Sequence, residues 1–251
     1  MSRRKQWSRF IELLPYDEMI PLWTQVEQDI IADIARRIAE YDYWISSAEH
    51  QRQKLREMGL AQEYIIRRLS ELTGKSNAEL LKLMKTASNE ALTSDRAYYR
   101  KHGIFAPDEL SEPLQQALFS GYRTTNKLFQ NLTSTTADAA QKQFINALDQ
   151  AWMQVQSGAF SYETAISNAI KSVAKPGLKI KWSVSGHEDT VEVAVRRAVM
   201  TGINQTTADM RLKLAEELGC DLVEVTAHAG ARPSHAEWQG RVYSISGKST
   251  K

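Results

Sequence analysis

The stretch YDEMIPLWTQVEQDIIADIARRIAEYDYWIS, residues 16–46, decides the fold. Its apolar side chains stand at Met19, Trp23, Val26, Ile30, Ile34, Ile38, Tyr41 and Ile45, every third or fourth position. In a helix of 3.6 residues per turn those positions fall on one face, so the spacing predicts an amphipathic helix from Tyr16 to about Ser46. Asp17 is placed to cap its start. At 1.5 Å per residue this is a rod of roughly 45 Å. A helix of that length belongs to a bundle or coiled coil that packs against something elongated.

Outward from it, the same period continues. A second helix is expected over Ala48–Met58, ended by Gly59, and a third over Gln62–Leu72, stopped at Gly74. Ser76-Asn77-Ala78-Glu79 has the form of a capping box. The helix it would open carries Leu80, Met84, Ala87, Ala91 and Tyr98 on one stripe and ends at His102-Gly103. Residues 104–113 hold Pro107 and Pro113 and read as a linker. Helices over Leu114–Asn131, Thr136–Ser157 and Tyr162–Ala174 follow. Then the period changes: Leu178 to Val184 alternates strictly, which is the mark of a half-buried strand with Lys179 and Lys181 outward. A long helix returns from Glu188 to Leu218, with Glu188 and Asp189 in its first turn, where the helix dipole favours negative charge. Gly219 closes it, and strands are expected at Leu222–Thr226 and Arg241–Ile245. The class is therefore mostly α with a small C-terminal α+β module, a long-helix bundle followed by strand, long helix, strand, loop and strand. The chain divides into a basic arm at 1–12, a long-helix region at 13–103, the linker at 104–113, a helical region at 114–175 and the α+β module at 176–251.

Composition narrows the functions available. Only 12 glycines and 6 prolines in 251 residues leave few turns and long elements. No run of about 18 apolar residues exists for a transmembrane helix, and no apolar region follows the charged start MSRRKQWSRF, as a secretory signal would require. A soluble cytoplasmic chain is expected. The single cysteine, Cys220, excludes an internal disulfide framework and multi-cysteine metal sites; it reads as a small buried residue between a helix and a strand. A net charge of +2 is too small for a dedicated DNA-coating protein. Arg3, Arg4, Lys5 and Arg9, interleaved with Trp7 and Phe10, form the one basic cluster, a solubilising tail or an arm for DNA phosphates.

The segment from Thr226 to Gly240 holds two of the five histidines, with an arginine, a glutamate and a tryptophan between two strands. His235-Ala236-Glu237 matches half of a zinc-deaminase signature, but the cysteine pair that completes it is missing. His228, His235 and Glu237 could ligate a metal if the loop folds back, yet their spacing fits no rigid template. Gly247-Lys248-Ser249 and Gly74-Lys75-Ser76 lack the glycine a phosphate loop needs five positions earlier. Ser234 beside His235 lacks a nucleophile elbow. The structural reading has Pro233 opening a one-turn helix, Arg232 bridging to a carboxylate or phosphate, and Trp238 plugging the module's core.

Gly230-Ala231-Arg232-Pro233-Ser234-His235-Ala236-Glu237-Trp238-Gln239-Gly240, after a strand ending Val225-Thr226-Ala227, resembles the hallmark of the phage minor capsid protein 2 family. Leu14-Pro15-Tyr16 leading into a long helix, and Tyr98-Tyr99-Arg100-Lys101-His102-Gly103, are also similar to that family, so the resemblance spans most of the chain. These are minor head proteins of tailed phages and prophages, similar in role to Mu-type head morphogenesis proteins. The resemblance implies a structural, non-enzymatic component of the virion head near the portal, assembled in the bacterial cytoplasm, that supports head assembly and DNA packaging or ejection. Its implied partners are the portal protein, other capsid or minor head subunits and packaged DNA, without a membrane or a cofactor. The motif loop, Arg232, Pro233, Ser234, His235, Glu237 and Trp238, would then serve structure or interaction, with no catalytic residue and no metal. Family members run on past the strand at Tyr243 into a Cys/His-containing segment, so a chain stopping at Lys251 is either truncated or a short variant. Two alternatives stand beside this role: a DNA-binding accessory protein without sequence preference, acting through residues 3–9 with Lys179 and Lys181, and a metal-dependent hydrolase centred on His228, Arg232, His235 and Glu237.

Overall fold

The computed structural model describes residues 19–181, 186–225, 227 and 232–248. Helix α1 spans Met19–Glu40, α2 Ser47–Lys101, α3 Glu112–Gln156 and α4 Tyr162–Ala174. After them come strands β1 (Lys179–Lys181) and β2 (Glu188–Thr190), helix α5 (Val191–Glu217), strand β3 (Leu222–Glu224), the single turn α6 (Pro233–Ala236) and strand β4 (Val242–Ser244). The mostly α class with a small C-terminal α+β part is the observed one.

The stripe that opened the reading forms the core side of α1. Met19, Trp23, Val26, Ile30, Ile34 and Ile38 are all buried, each contributing about 1.5–3 kcal/mol over an exposed side chain. α1 ends at Glu40, short of Ser46, and Tyr41 and Tyr43 turn inward from the elbow that follows.

Three expected breaks do not occur. α2 runs unbroken for 55 residues through Gly59 and Gly74, about 80 Å at 1.5 Å per residue. A helical glycine costs about 1 kcal/mol relative to alanine. The buried Ala61, Ile65, Leu69 and Leu72 between the two glycines, and Leu80, Leu83 and Met84 beyond them, offset that cost. The capping box forms at Ser46 and Glu49, at the true start, and not at Ser76. α3 likewise crosses Asn131–Thr136 for 45 residues. Thr133, Ser134, Thr135 and Thr136 each turn their hydroxyl back to the carbonyl four residues earlier, so these polar groups are satisfied within the helix. Pro113 lies in the first turn of α3, where its missing N–H costs nothing.

The helix ends follow the glycines. Gly103, at φ 78°, closes α2: its N–H reaches the Arg100 carbonyl, and the Ile104 N–H reaches that of Tyr99. Gly219, at φ 69°, does the same for α5, with Cys220 N–H on the Ala215 carbonyl. Both are Schellman caps.

The strands form two separate antiparallel hairpins, β1 with β2 and β3 with β4. Residues 188–190 are strand, a correction to the expected first helical turn. Asp189 pairs with Ile180 in register and is buried, held by Arg197 at 2.6 Å and His187 at 3.1 Å. Thr190 takes over as the N-cap of α5. α3 packs most extensively on α5 and α2, and their buried side chains join those of α1 and α4 in one apolar core.

Candidate interaction surfaces and the C-terminal loop

The motif loop is placed between β3 and β4. Pro233 stands at the first helical position of α6 with Arg232 as N-cap. Trp238 does not plug a core: it is 45% exposed, and among the described residues no helix packs extensively on the β3–β4 hairpin. Its Nε1 donates to the Ser234 carbonyl at 2.7 Å, and its ring lies 5.3 Å from that of His235. Arg232, Ser234, His235 and Glu237 are all exposed. Among the described residues, no three His, Cys, Asp or Glu side chains converge as a metal site. His228, Gly230 and Ala231 lie outside the described residues, as do Arg3, Arg4, Lys5 and Arg9. Of the two expected outward lysines, Lys179 is half-buried and the Lys181 side chain is outside the description. Cys220 is a half-buried thiol at the exit from α5.

Large apolar side chains are exposed at both ends of the rod, and others, Leu55, Leu60, Ile66 and Leu128 among them, are exposed along its helices. At one end are Trp44, Met153 and Phe160, exposed in the α1–α2 elbow, the last turns of α3 and the α3–α4 turn. Trp44 stacks on Tyr162 with ring centroids 6.1 Å apart and planes 10° from parallel. At the other end, the Ser111 hydroxyl bonds Glu217 at 2.5 Å, tying the end of α5 to the α2–α3 connection. Phe105 in that connection is 82% exposed, and Leu222, Trp238, Val242, Tyr243 and Ile245 are exposed on the hairpin beyond it. Between the ends, Asp29, Asp33, Arg36, Arg37, Tyr64 and Arg67 line an open polar groove between α1 and α2. There Asp33 pairs with both Arg36 and Arg37, while Arg67 lies 5.3 Å over the Tyr64 ring.

A buried polar cluster joins the α1–α2 elbow, α2 and α3 near the Trp44 end, and the sequence reading missed it. His50 is 1% exposed. Its Nδ1 is 2.8 Å from the Tyr41 hydroxyl and its Nε2 2.9 Å from Asp149 Oδ1. The Lys54 ammonium donates to both oxygens of the same carboxylate, at 2.7 and 3.0 Å. Trp152 stacks on the imidazole at 4.6 Å. Burial pushes the Asp149 carboxyl up, but the Lys54 and His50 hydrogen bonds outweigh it and hold the group below its ordinary value. Burial drives the Tyr41 hydroxyl up to about 12. The partners lie 95 and 99 residues apart, so no local pattern announces them.

Helical rods with exposed apolar ends and an exposed motif loop are the build of an assembly component. The chain belongs to the phage minor capsid protein 2 family, whose profile matches residues 11–251. It is thus a minor structural protein of a phage virion. No curated protein and no solved structure matches it. No helix among the described residues is long and apolar enough to cross a membrane.

Proposed function

We propose that this minor capsid protein is a portal-proximal component of the phage head, non-catalytic, that supports head assembly and DNA packaging or ejection. One observation supports this reading above the others: a helical rod about 80 Å long exposes large aromatic side chains at both ends, Trp44 and Phe160 at one and Phe105, Trp238 and Tyr243 at the other. Exposed clusters of this kind, with Trp, Tyr and Phe among them, are the side chains from which protein interfaces draw most of their energy. A rod that holds one end against a ring and the other against a neighbour needs that arrangement. The exposed Pro233–Gly240 segment lies at the second end and serves contact. Coexpression with the portal protein encoded beside it, followed by size-exclusion chromatography, tests the reading. Coelution with the portal oligomer supports it, and a monomer that ignores the portal refutes it.

A further inference from the structure

α2 and α3 lie side by side, and midway along them their other partners change. Along the first half of α2 runs α1, with Arg37 on Glu57 at 3.0 Å and Arg68 on Asp29. Along the second half runs α5, with Arg211 gripping Asp95 at 2.5 and 2.6 Å. On α3, Asp149 faces His50 and Lys54 of the first half, while Gly121 and Thr125 lie against Thr206 and Gly202 of α5. The stretches of α2 between Arg68 and Asp95, and of α3 between Thr125 and Asp149, therefore span the change of partner between two half-bundles, which also meet where α1 packs on α5 within the shared apolar core.

In that junction both helices carry residues that argue against helix. Gly74 has no packing reason to be glycine, since a Cβ there would meet nothing within 4 Å. Ser76 is 1% exposed, and its hydroxyl has no hydrogen-bond partner among the described residues; the side-chain oxygen of Asn77 has none either. A buried hydroxyl without a partner is destabilising in the straight helix. Ser76 and Glu79 have the spacing of a capping box, the device already formed by Ser46 and Glu49. On α3, the four consecutive back-bonding hydroxyls of residues 133–136 are a pattern that bends helices.

We propose that residues 73–79 of α2 and 129–136 of α3 form a hinge between the two half-bundles, opened when Ser76 and Glu79 close a second capping box. Opening breaks the bonds from the amides of residues 76–79 to the carbonyls of residues 72–75. The Ser76 hydroxyl then accepts from the Glu79 N–H, and the Glu79 carboxylate from the Ser76 N–H. Gly74 takes the left-handed position that ends the first half-helix. The buried orphan hydroxyl is satisfied in the open form, which offsets part of the cost of the broken backbone bonds.

Amide hydrogen exchange on the full chain, with Gly74→Ala and Ser76→Ala as separate variants, tests this. The amides of residues 76–79 should exchange at least tenfold faster than those of Ile65–Leu69 and Leu83–Ala87. Gly74→Ala should slow them roughly fivefold, the helix-propensity difference between the two residues, and leave the flanking amides unchanged. Ser76→Ala should also slow them. Uniform protection through residues 65–87, or a slowing by Gly74→Ala shared equally along α2, would overturn the hinge. As an independent readout, spin labels at the exposed Gln62 and Glu90 sit about 42 Å apart along a straight helix. A shorter second population, depleted by Gly74→Ala, is expected; a single distance in both proteins contradicts the proposal.

Discussion

Gly121 and Gly202 set how closely α3 and α5 approach. A Cβ at Gly121 would fall 2.0 Å from Thr206 Oγ1, and one at Gly202 would fall 2.2 Å from Thr125 Oγ1. Each helix thus presents a glycine and, four residues on, a threonine whose hydroxyl is bonded back to that glycine's carbonyl. The two pairs interlock in antiparallel fashion. Gly121→Ala should lower stability by about 1–3 kcal/mol, the usual cost of overpacking, whereas Gly59→Ala, which meets open space, should raise it by roughly 0.5–1 kcal/mol. Thermal melts of the two variants would move in opposite directions; equal shifts would disprove the close approach. At Asp149 the sign of a pH effect follows from its lowered carboxyl. Its stabilisation is present above the unfolded value of about 3.9 and lost as pH falls through the folded one. Denaturant titrations of wild type and Asp149→Asn should therefore differ at pH 6 and converge at pH 2. An unchanged gap would mean the carboxylate is not what holds the cluster. None of these contacts was legible in the sequence, because each joins residues far apart along the chain.

At the scale of elements, much more was legible, because periodicity and caps are local. The α1 stripe from Met19 to Ile38, the limits Tyr162–Ala174 of α4, the strand through Ile180 and the closures at Gly103 and Gly219 stand as read. The failures share one cause. Gly59, Gly74 and the run Thr133–Thr136 are local signals to stop, overridden by the apolar stripes on either side that pack on neighbouring helices. Glu188 and Asp189 fit the electrostatics of a helix start equally well, and only pairing with β1 makes them strand. The cap at Ser46, with Glu49 Oε2 accepting from the Ser46 N–H at 3.1 Å, is needed because α2 must begin sharply after the elbow. Ser46→Ala should cost about 1 kcal/mol and speed amide exchange in the first turn of α2 alone. Loss of protection along the whole helix would show that the cap governs more than its own turn.

At the scale of the molecule, the resemblance in the Gly230–Gly240 loop pointed to the family, while composition and helix length only agreed with it. The net charge of +2 and the mixed ion pairs along the α1–α2 groove keep that groove polar, while exposed aromatic side chains stand at both ends of the rod. The end surfaces depend on residues far apart in sequence, such as Trp44, Met153 and Phe160, and so emerged only with the fold. If the Trp44 end seats on a partner, Trp44→Ala should weaken the complex by at least 2 kcal/mol, a hot-spot effect, without changing the melting temperature by more than a few degrees. Coexpression with the portal protein, size-exclusion chromatography and an assay of purified particles for this chain together test the proposed structural role beside the portal. Coelution with the portal oligomer and presence in virions are expected. A folded monomer that passes the portal by and is absent from particles would contradict it.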